Sequence, residues 1–309
     1  MKNTAKILML AVAAAVFPAR AADCGTVRFS DVGWTDITAT TAATSLVLEG
    51  LGYETSVQVL SVPVTYTSMA NDDIDVFLGN WMPTMEGDIA SYRDAGTVDT
   101  VRENLEGAKY TLAVLKTTAD KGLKSFADIA KFRDSLEGRI YGIEPGNDGN
   151  RIILDMIEKD AFGLSGFEVV ESSEQGMLAQ VARSVKRGED VVFLGWEPHP
   201  MNANFEMAYL TGGDDYFGPD LGGATVFTNT RAGFVEDCVN AGALLKNLKF
   251  TLAMENEIMG AILNDGKEPK DAAKAWLVAN PEVLSDWLHG VVTIDGKASL
   301  PAVRASLGL

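Results

Sequence analysis

The sequence predicts an α/β protein made of two similar lobes that face each other across a cleft. Short apolar strands alternate with helical stretches, which is typical of parallel sheets covered by helices. Residues 75–83 (DVFLGNWMP) and 190–198 (DVVFLGWEP) share one pattern, an apolar strand followed by Gly, Trp and Pro. The strand-to-helix turns at residues 27–36 and 140–150 also correspond. Such internal repetition indicates two units built on one plan.

Apolar runs and breaker residues place the individual elements. We expect strands at residues 26–30, 55–60, 75–78, 139–143 and 191–194, helices at 38–50 and 150–160, and a new region from 110–115. Ser125 and Asp128 have the spacing of a helix capping box. Trp276 and Trp287 lie in a helical stretch at a spacing typical of a packed face.

The first residues predict an exported protein. Lys2 and Lys6 precede an apolar run, residues 7–17, and Ala19-Arg20-Ala21 supplies the small-x-small pattern that signal peptidase reads. The run is shorter than the roughly 20 residues that a membrane-spanning helix needs, although a membrane anchor is the alternative. We therefore expect residues 1–22 to be a signal peptide that is removed, and the mature protein to lie in the periplasm.

Charge and cysteine content narrow the class further. The 309 residues carry a formal net charge of −17, which argues against nucleic acid or an anionic membrane as a partner and weakly favours a cation. Cys24 and Cys238 are the two cysteines. An even number in an exported chain predicts a disulfide between them, with two buried free thiols as the alternative.

Glycine-containing stretches suggest where the chain passes between the lobes. We expect the crossing near residues 107–109 and the return near 211–215, where Gly212 and Gly213 suit a hinge. The first lobe would then comprise residues 23–108 and 212–309, and the second lobe residues 109–211.

Aromatic residues mark the predicted cleft. In open parallel sheets, ligands bind beyond the carboxyl ends of the strands, and Trp34, Trp81 and Trp196 each follow such an end. Tyr110 lies at the predicted crossing between lobes. A quaternary ammonium spreads its charge over methyl groups and has no donor on nitrogen, so ring faces are what bind it selectively. The four rings therefore predict a cage for such a cation.

Three segments carry a family resemblance. The segments are residues 79–84 (GNWMPT), 193–201 (FLGWEPHPM) and 276–288 (WLVANPEVLSDWL). They resemble segments of the substrate-binding proteins of glycine betaine/choline ABC importers. The resemblance covers the mature chain and implies a type II periplasmic-binding-protein, or Venus-flytrap, fold. It also implies a membrane permease as partner and an aromatic box of Trp34 and Trp81 from one lobe with Tyr110 and Trp196 from the other.

Polar residues near the cage would decide which cation binds. Asp36 could place a carboxylate beside the rings, which favours choline over glycine betaine because betaine carries a carboxylate of its own. The alternative is an ordinary helix N-cap. Asn147 could bond the choline hydroxyl, or it could be a plain turn residue. We expect acetylcholine and betaine to bind more weakly than choline.

Other functions remain as alternatives. The chain could bind glycine betaine, proline betaine or carnitine instead, or act as a sensory ligand module. An exported enzyme is disfavoured because the two histidines, His199 and His289, stand in no catalytic or zinc motif. His199, between two prolines, is expected to be structural. We expect a monomer with no cofactor, no metal and no nucleic-acid partner.

Overall fold

The computed structural model describes residues 24–309, so the predicted signal peptide lies outside the described residues. The strands in this part of the chain are β1 (Thr26–Asp31), β2 (Glu54–Val59), β3 (Val76–Met82), β4 (Val98–Leu115), β5 (Arg139–Tyr141), β6 (Glu168–Val170), β7 (Val192–Glu197), β8 (Met207–Tyr209) and β9 (Gly223–Arg231).

Helices follow most strands, as the alternating pattern predicts. The α-helices are α1 (Thr35–Gly50), α2 (Val62–Ala70), α3 (Glu86–Asp94), α4 (Lys116–Asp120), α5 (Asp148–Glu158), α6 (Glu174–Arg187), α7 (Met201–Asn204), α8 (Asp214–Phe217), α9 (Pro219–Gly222), α10 (Phe234–Asp237), α11 (Val239–Asn247), α12 (Leu252–Leu263), α13 (Pro269–Ala279), α14 (Val283–Trp287) and α15 (Ser299–Leu307). Two 3₁₀ helices span Phe126–Phe132 and Ala161–Gly163. The first of them has the predicted capping box of Ser125 and Asp128.

The strands form one sheet with two similar halves. Its order is β2-β1-β3-β9-β4-β7-β5-β6, and β8 pairs with β4. In the first half, β1 is parallel to β2 and β3. In the second half, β5 is parallel to β6 and β7. Each half thus has the same order, with its first strand in the middle. We call the parts of the molecule built on these halves the first and second lobes.

The repeated segment forms the third strand of each half. DVFLGNWMP contains β3 and DVVFLGWEP contains β7, and both end in a cis peptide bond, at Pro83 and Pro198. Side chains in both strands are almost entirely buried, as continuous apolar runs covered on both faces require. The two-lobed α/β fold is therefore confirmed.

The pairing is parallel within each half, as expected, but the centre of the sheet is antiparallel. Strand β9 runs antiparallel to β3, and β4 runs antiparallel to β7 and β9. The 18-residue strand β4 pairs with β9 through its first part and with β7 from Lys109 to Val114. The chain therefore passes between lobes along the sheet itself. The local sequence pattern misses this because the pairing partners lie far apart in the chain.

Carboxy-terminal helices return to the first lobe, where α1 packs against α12, α13 and α15. A disulfide joins Cys24 to Cys238, with Cα atoms 5.5 Å apart, and confirms the predicted pair. Trp287 is buried, and its ring meets the edge of Phe250 at 5.7 Å. Trp276 is only half-buried and donates to Glu257. None of the helices in residues 24–309 has the length and apolar character needed to cross a membrane.

Candidate functional site

Four aromatic rings meet around one small cavity between the lobes. Trp81 and Tyr110 have ring centroids 6.0 Å apart, and Tyr110 and Trp196 are 6.2 Å apart, both edge to face. The cavity is lined by Trp34, Asp36, Trp81, Tyr110, Ile143, Asp148 and Trp196. Each of the four rings exposes 5% or less of its surface. A ligand in this cavity could enter or leave only if the lobes moved apart.

Secondary structure fixes where each ring stands. Trp34 immediately precedes α1, which begins at Thr35, three residues before the expected start. We expected Trp81 and Trp196 on turns just past the strands. They lie instead within the last two residues of β3 and β7. Tyr110 lies in β4 directly opposite Trp196. Antiparallel pairing of β4 with β7 thus places two cage rings side by side.

The two tryptophans of the first lobe each donate their indole N–H to a carboxyl group. Nε1 of Trp81 donates to Oδ2 of Asp36 at 3.2 Å, and Nε1 of Trp34 donates to Oε1 of Glu144 at 2.8 Å. Both N–H groups are therefore satisfied, as a buried indole requires. The second bond also joins the first lobe to the second, because Glu144 follows β5.

Two carboxyl groups line the cavity with one free oxygen each. Oδ1 of Asp36 and Oδ2 of Asp148 are buried and have no hydrogen-bond partner within 3.5 Å among residues 24–309, although the Thr84 side chain is near enough to Asp148 to oppose the rise in its pKa. Buried oxygens are ordinarily paired, so these two are available to a ligand. Asp36 lies in the first lobe and Asp148 in the second, at the start of α5. A ligand with positive charge or a hydroxyl donor would satisfy them.

The acidic groups of the site hold their protons more tightly than usual. Burial, reinforced by the charge of Glu174, raises the pKa of Asp36 to about 8. Burial also raises the pKa of Asp148 to about 6 and that of Glu144 to about 7. Low dielectric disfavours the charged form, and neighbouring acids add to the effect. A bound cation would reverse this cost and favour ionisation.

Asn147 lies behind the cavity, between two residues that line it. Its Oδ1 accepts from the Tyr110 hydroxyl at 3.0 Å and from the backbone N–H of Asn150 at 3.0 Å, so it caps α5. Its amide nitrogen donates to Oδ1 of Asp148 at 3.1 Å. The amide nitrogen has a second N–H, which could still bond a ligand hydroxyl while the side-chain oxygen caps α5. The contact with a ligand hydroxyl remains a prediction.

Asp148 and Glu144 were not predicted as site residues from the sequence. Both belong to the turn IYGIEPGNDGN, which corresponds to the turn before the first helix. Counted from the N-cap residues Trp34 and Asn147, Asp148 corresponds to Thr35, and Asp36 corresponds to Gly149. A residue-by-residue match of the two turns would therefore not have pointed to Asp148.

A family model described as the substrate binding domain of ABC-type glycine betaine transport system matches residues 25–279. The glycine betaine/carnitine transport binding protein GbuC of Listeria monocytogenes is 30% identical over 187 residues, which are 60% of each chain.

Two solved structures are similar over nearly the whole described chain. An ABC-transporter choline binding protein in complex with choline is 68% identical, with a TM-score of 0.91 over 92% of this chain and 99% of that one. An ABC-transporter choline binding protein in an unliganded semi-closed conformation is also 68% identical, with a TM-score of 0.86 over 93% and 100% of the two chains. The chain belongs to the family of substrate-binding domains of ABC-type glycine betaine transport systems, and it is a solute-binding protein, not an enzyme.

Proposed function

We propose that the protein captures choline in the cavity between its lobes and delivers it to the permease of an ABC importer. The observation that carries this proposal is a cavity that combines four ring faces with two carboxyl groups, each with a free buried oxygen. Ring faces attract the trimethylammonium group, and a carboxylate oxygen can accept a bond from the choline hydroxyl. The similarity to a choline-bound protein supports this assignment.

The ligand-binding residues that we propose are the four cage rings, two carboxyl groups and one amide. Trp34, Trp81, Tyr110 and Trp196 would surround the methyl groups. Each ring contributes up to about 2 kcal/mol when the cation is desolvated. Asp36 and Asp148 would balance the charge, and Asn147 would bond the hydroxyl.

Glycine betaine is the second candidate, because the matching family model is described for glycine betaine transport. Its quaternary ammonium suits the rings equally well. Its carboxylate, however, would lie beside Asp36 and Asp148 in a buried site. Ionised, these groups would repel the carboxylate of betaine; protonated, they would leave the quaternary ammonium without their counter-charge. The carboxyl pair therefore favours choline, and acetylcholine, which lacks the hydroxyl donor, should bind more weakly.

A calorimetric titration panel tests the ligand assignment. The purified mature protein is titrated with choline, acetylcholine, glycine betaine, proline betaine and carnitine. We expect choline to bind most tightly, with glycine betaine weaker by at least about a hundredfold, because a buried like-charge pair costs several kcal/mol. Equal affinities for choline and glycine betaine would refute the argument from the carboxyl groups.

The remaining proposals concern the whole molecule. We propose that the lobes divide into residues 23–108 with 212–309 and residues 109–211, and that the mature protein is a periplasmic monomer without residues 1–22. Cell fractionation with amino-terminal sequencing tests the location and the cleavage site. Light scattering of the purified protein tests the oligomeric state.

A further inference from the structure

A buried polar contact outside the aromatic cage joins the two lobes. Glu174, at the start of α6 in the second lobe, contacts Thr35, at the start of α1 in the first. Its Oε2 accepts from the backbone N–H of Thr35 at 2.8 Å, and its Oε1 accepts from the Thr35 hydroxyl at 2.5 Å. Both residues are almost fully buried. Because they belong to different lobes, these bonds exist only while the lobes are closed.

Helix α1 needs this partner. Its N-cap is Trp34, which has no side-chain oxygen to accept from the first N–H groups of the helix. Glu174 supplies the missing acceptor from the other lobe, and its negative charge suits the positive end of a 16-residue helix. Thr35 stands between the two cage residues Trp34 and Asp36. Holding Thr35 therefore fixes the position of both.

His199 extends the contact to a third cage residue. Its Nδ1 accepts from the backbone N–H of Met201 at 2.9 Å, so Nε2 carries the proton and donates to Oε1 of Glu174 at 3.2 Å. The His199 ring packs against Trp196, with centroids 4.7 Å apart. Glu174 thus contacts Thr35, next to Trp34, and His199, which packs against Trp196, without itself lining the cavity.

From this arrangement we propose that Glu174 is the positioning residue that latches the closed lobes and aligns the cage around the ligand. The inference rests on the proposed function and deepens it. Another polar contact between lobes, Arg151 to Asp88 at 2.6 Å, involves an arginine side chain that is 46% exposed, and exposed pairs contribute little. The Glu174 side chain is fully buried, so its bonds form away from water.

The charges around the cavity explain why the lobes would close more favourably when a cation is bound. Closure brings Glu174 close enough to raise the pKa of Asp36, after the larger effect of burial. The same holds for Glu144, whose pKa is raised by burial and then by its acidic neighbours. Closing an empty site thus gathers carboxyl groups that repel one another. A bound cation offsets that repulsion, so the bonds of Glu174 form at least cost when the ligand is present.

Variants of Glu174 and Thr35 test the latch. Glu174→Ala should weaken choline binding by about tenfold or more, since bonds to a buried carboxylate are lost, and stopped-flow fluorescence should place the loss in the dissociation rate. Its ligand-free melting temperature should stay near that of the wild type. Thr35→Ser keeps both donors and should bind like the wild type, whereas Thr35→Val should bind more weakly. Asp128→Asn, a capping change within the second lobe, should lower the melting temperature and leave choline affinity unchanged.

The outcomes separate this inference from the proposed function. If the wild type and Glu174→Ala bind choline equally well, the latch is refuted while the proposed function stands. An equal loss of stability with and without choline would mean that Glu174 is merely structural, which also refutes it. If Glu174→Ala does not fold, the Thr35 pair decides, and equal affinities of Thr35→Ser and Thr35→Val overturn the latch. A wild-type protein that does not bind choline refutes the proposed function instead.

Discussion

Nε1 of Trp81 donates to Oδ2 of Asp36 at 3.2 Å, which ties a cage ring at the end of β3 to a cage carboxyl in the first turn of α1. The bond occupies one carboxyl oxygen and leaves Oδ1 free toward the cavity. Ring and carboxyl therefore form one unit, in which the ring orientation and the position of the charge depend on each other.

The rings should dominate affinity. Trp81→Ala and Trp196→Ala should each weaken choline binding by about a hundredfold or more, because each removes a desolvated cation–π contact and opens the cavity to water. Isothermal calorimetry measures the change. Trp287→Ala is the matched control, since Trp287 is buried away from the cavity. It should lower the free energy of unfolding by about 3 kcal/mol without changing affinity. Normal choline binding by Trp81→Ala would rule out the cage.

Asp36 should set the preference for a net positive ligand. Asp36→Asn removes the negative charge and keeps the size of the side chain, so choline should lose about tenfold or more in affinity. Glycine betaine should lose less or gain, and the ratio of the two affinities should shrink. Asp31→Asn is the control, because Asp31 is buried nearby but bonds Gly33 and Thr38 and does not line the cavity. A ratio that changes equally in both variants would contradict the role given to Asp36.

Much of the fold could be predicted because its signals are local. The repeated segments around Trp81 and Trp196 predicted the third strand of each lobe. The alternation of strands and helices predicted β1, β2 and β5 but not β6. The antiparallel strands β4 and β9 escaped prediction. Their register joins Val98 to Arg231, and no local periodicity encodes a pairing over that sequence distance.

The site was predictable where a residue type alone suggests its chemistry. Tryptophans beside glycine and proline pointed to the cage. Glu144 and Glu174 gave no such signal, because an isolated glutamate is typical of a solvated surface. Their functions depend on the closed lobes, which bring them to Trp34 and Thr35 across more than a hundred residues of chain.

Asn147 has two proposed roles that one substitution can separate. Asn147→Ser keeps a good N-cap for α5, so the melting temperature should change little, but it removes the amide N–H groups. Choline should therefore lose about tenfold relative to tetramethylammonium, which has no hydroxyl to bond. Tyr110→Phe is the control, since it removes the hydroxyl that donates to Asn147 and keeps the ring. If the ratio of choline affinity to tetramethylammonium affinity is unchanged in Asn147→Ser, Asn147 caps α5 and does not bond the ligand hydroxyl.

The disulfide should stabilise the first lobe without affecting the site. Cys24 and Cys238 are separated by 214 residues, and a bridge that closes so long a loop contributes about 2–5 kcal/mol to stability. The double variant Cys24→Ala/Cys238→Ala should therefore unfold at a lower denaturant concentration, with a free energy of unfolding lower by about 2–5 kcal/mol. It should bind choline with unchanged affinity. Reduction of the wild type should produce the same shift. Loss of choline affinity would show that the bridge also shapes the cavity.

Proton release should accompany binding. Burial raises the pKa of Asp36 to about 8, that of Glu144 to about 7 and that of Asp148 to about 6, and a bound cation favours their ionised forms. Affinity for choline should therefore rise with pH, by up to about tenfold per unit between pH 6 and 8 for one coupled group. Calorimetry in buffers of different ionisation enthalpy counts the protons released. A flat pH profile would contradict this coupling.

Stability of the ligand-free protein should change in the opposite direction. Unfolded Asp and Glu ionise near pH 4, so between about pH 5 and 8 the closed form of the ligand-free protein holds more protons at Asp36, Glu144 and Asp148 than the unfolded state does. Their contribution to stability is fully present below about pH 4 and is lost as pH rises through the folded pKa values. Exposed carboxyls with lowered pKa, such as Asp128, are ionised in both states across this window. The ligand-free melting temperature should thus fall from pH 5 to 8, choline should reduce that fall, and Asp36→Asn should flatten it.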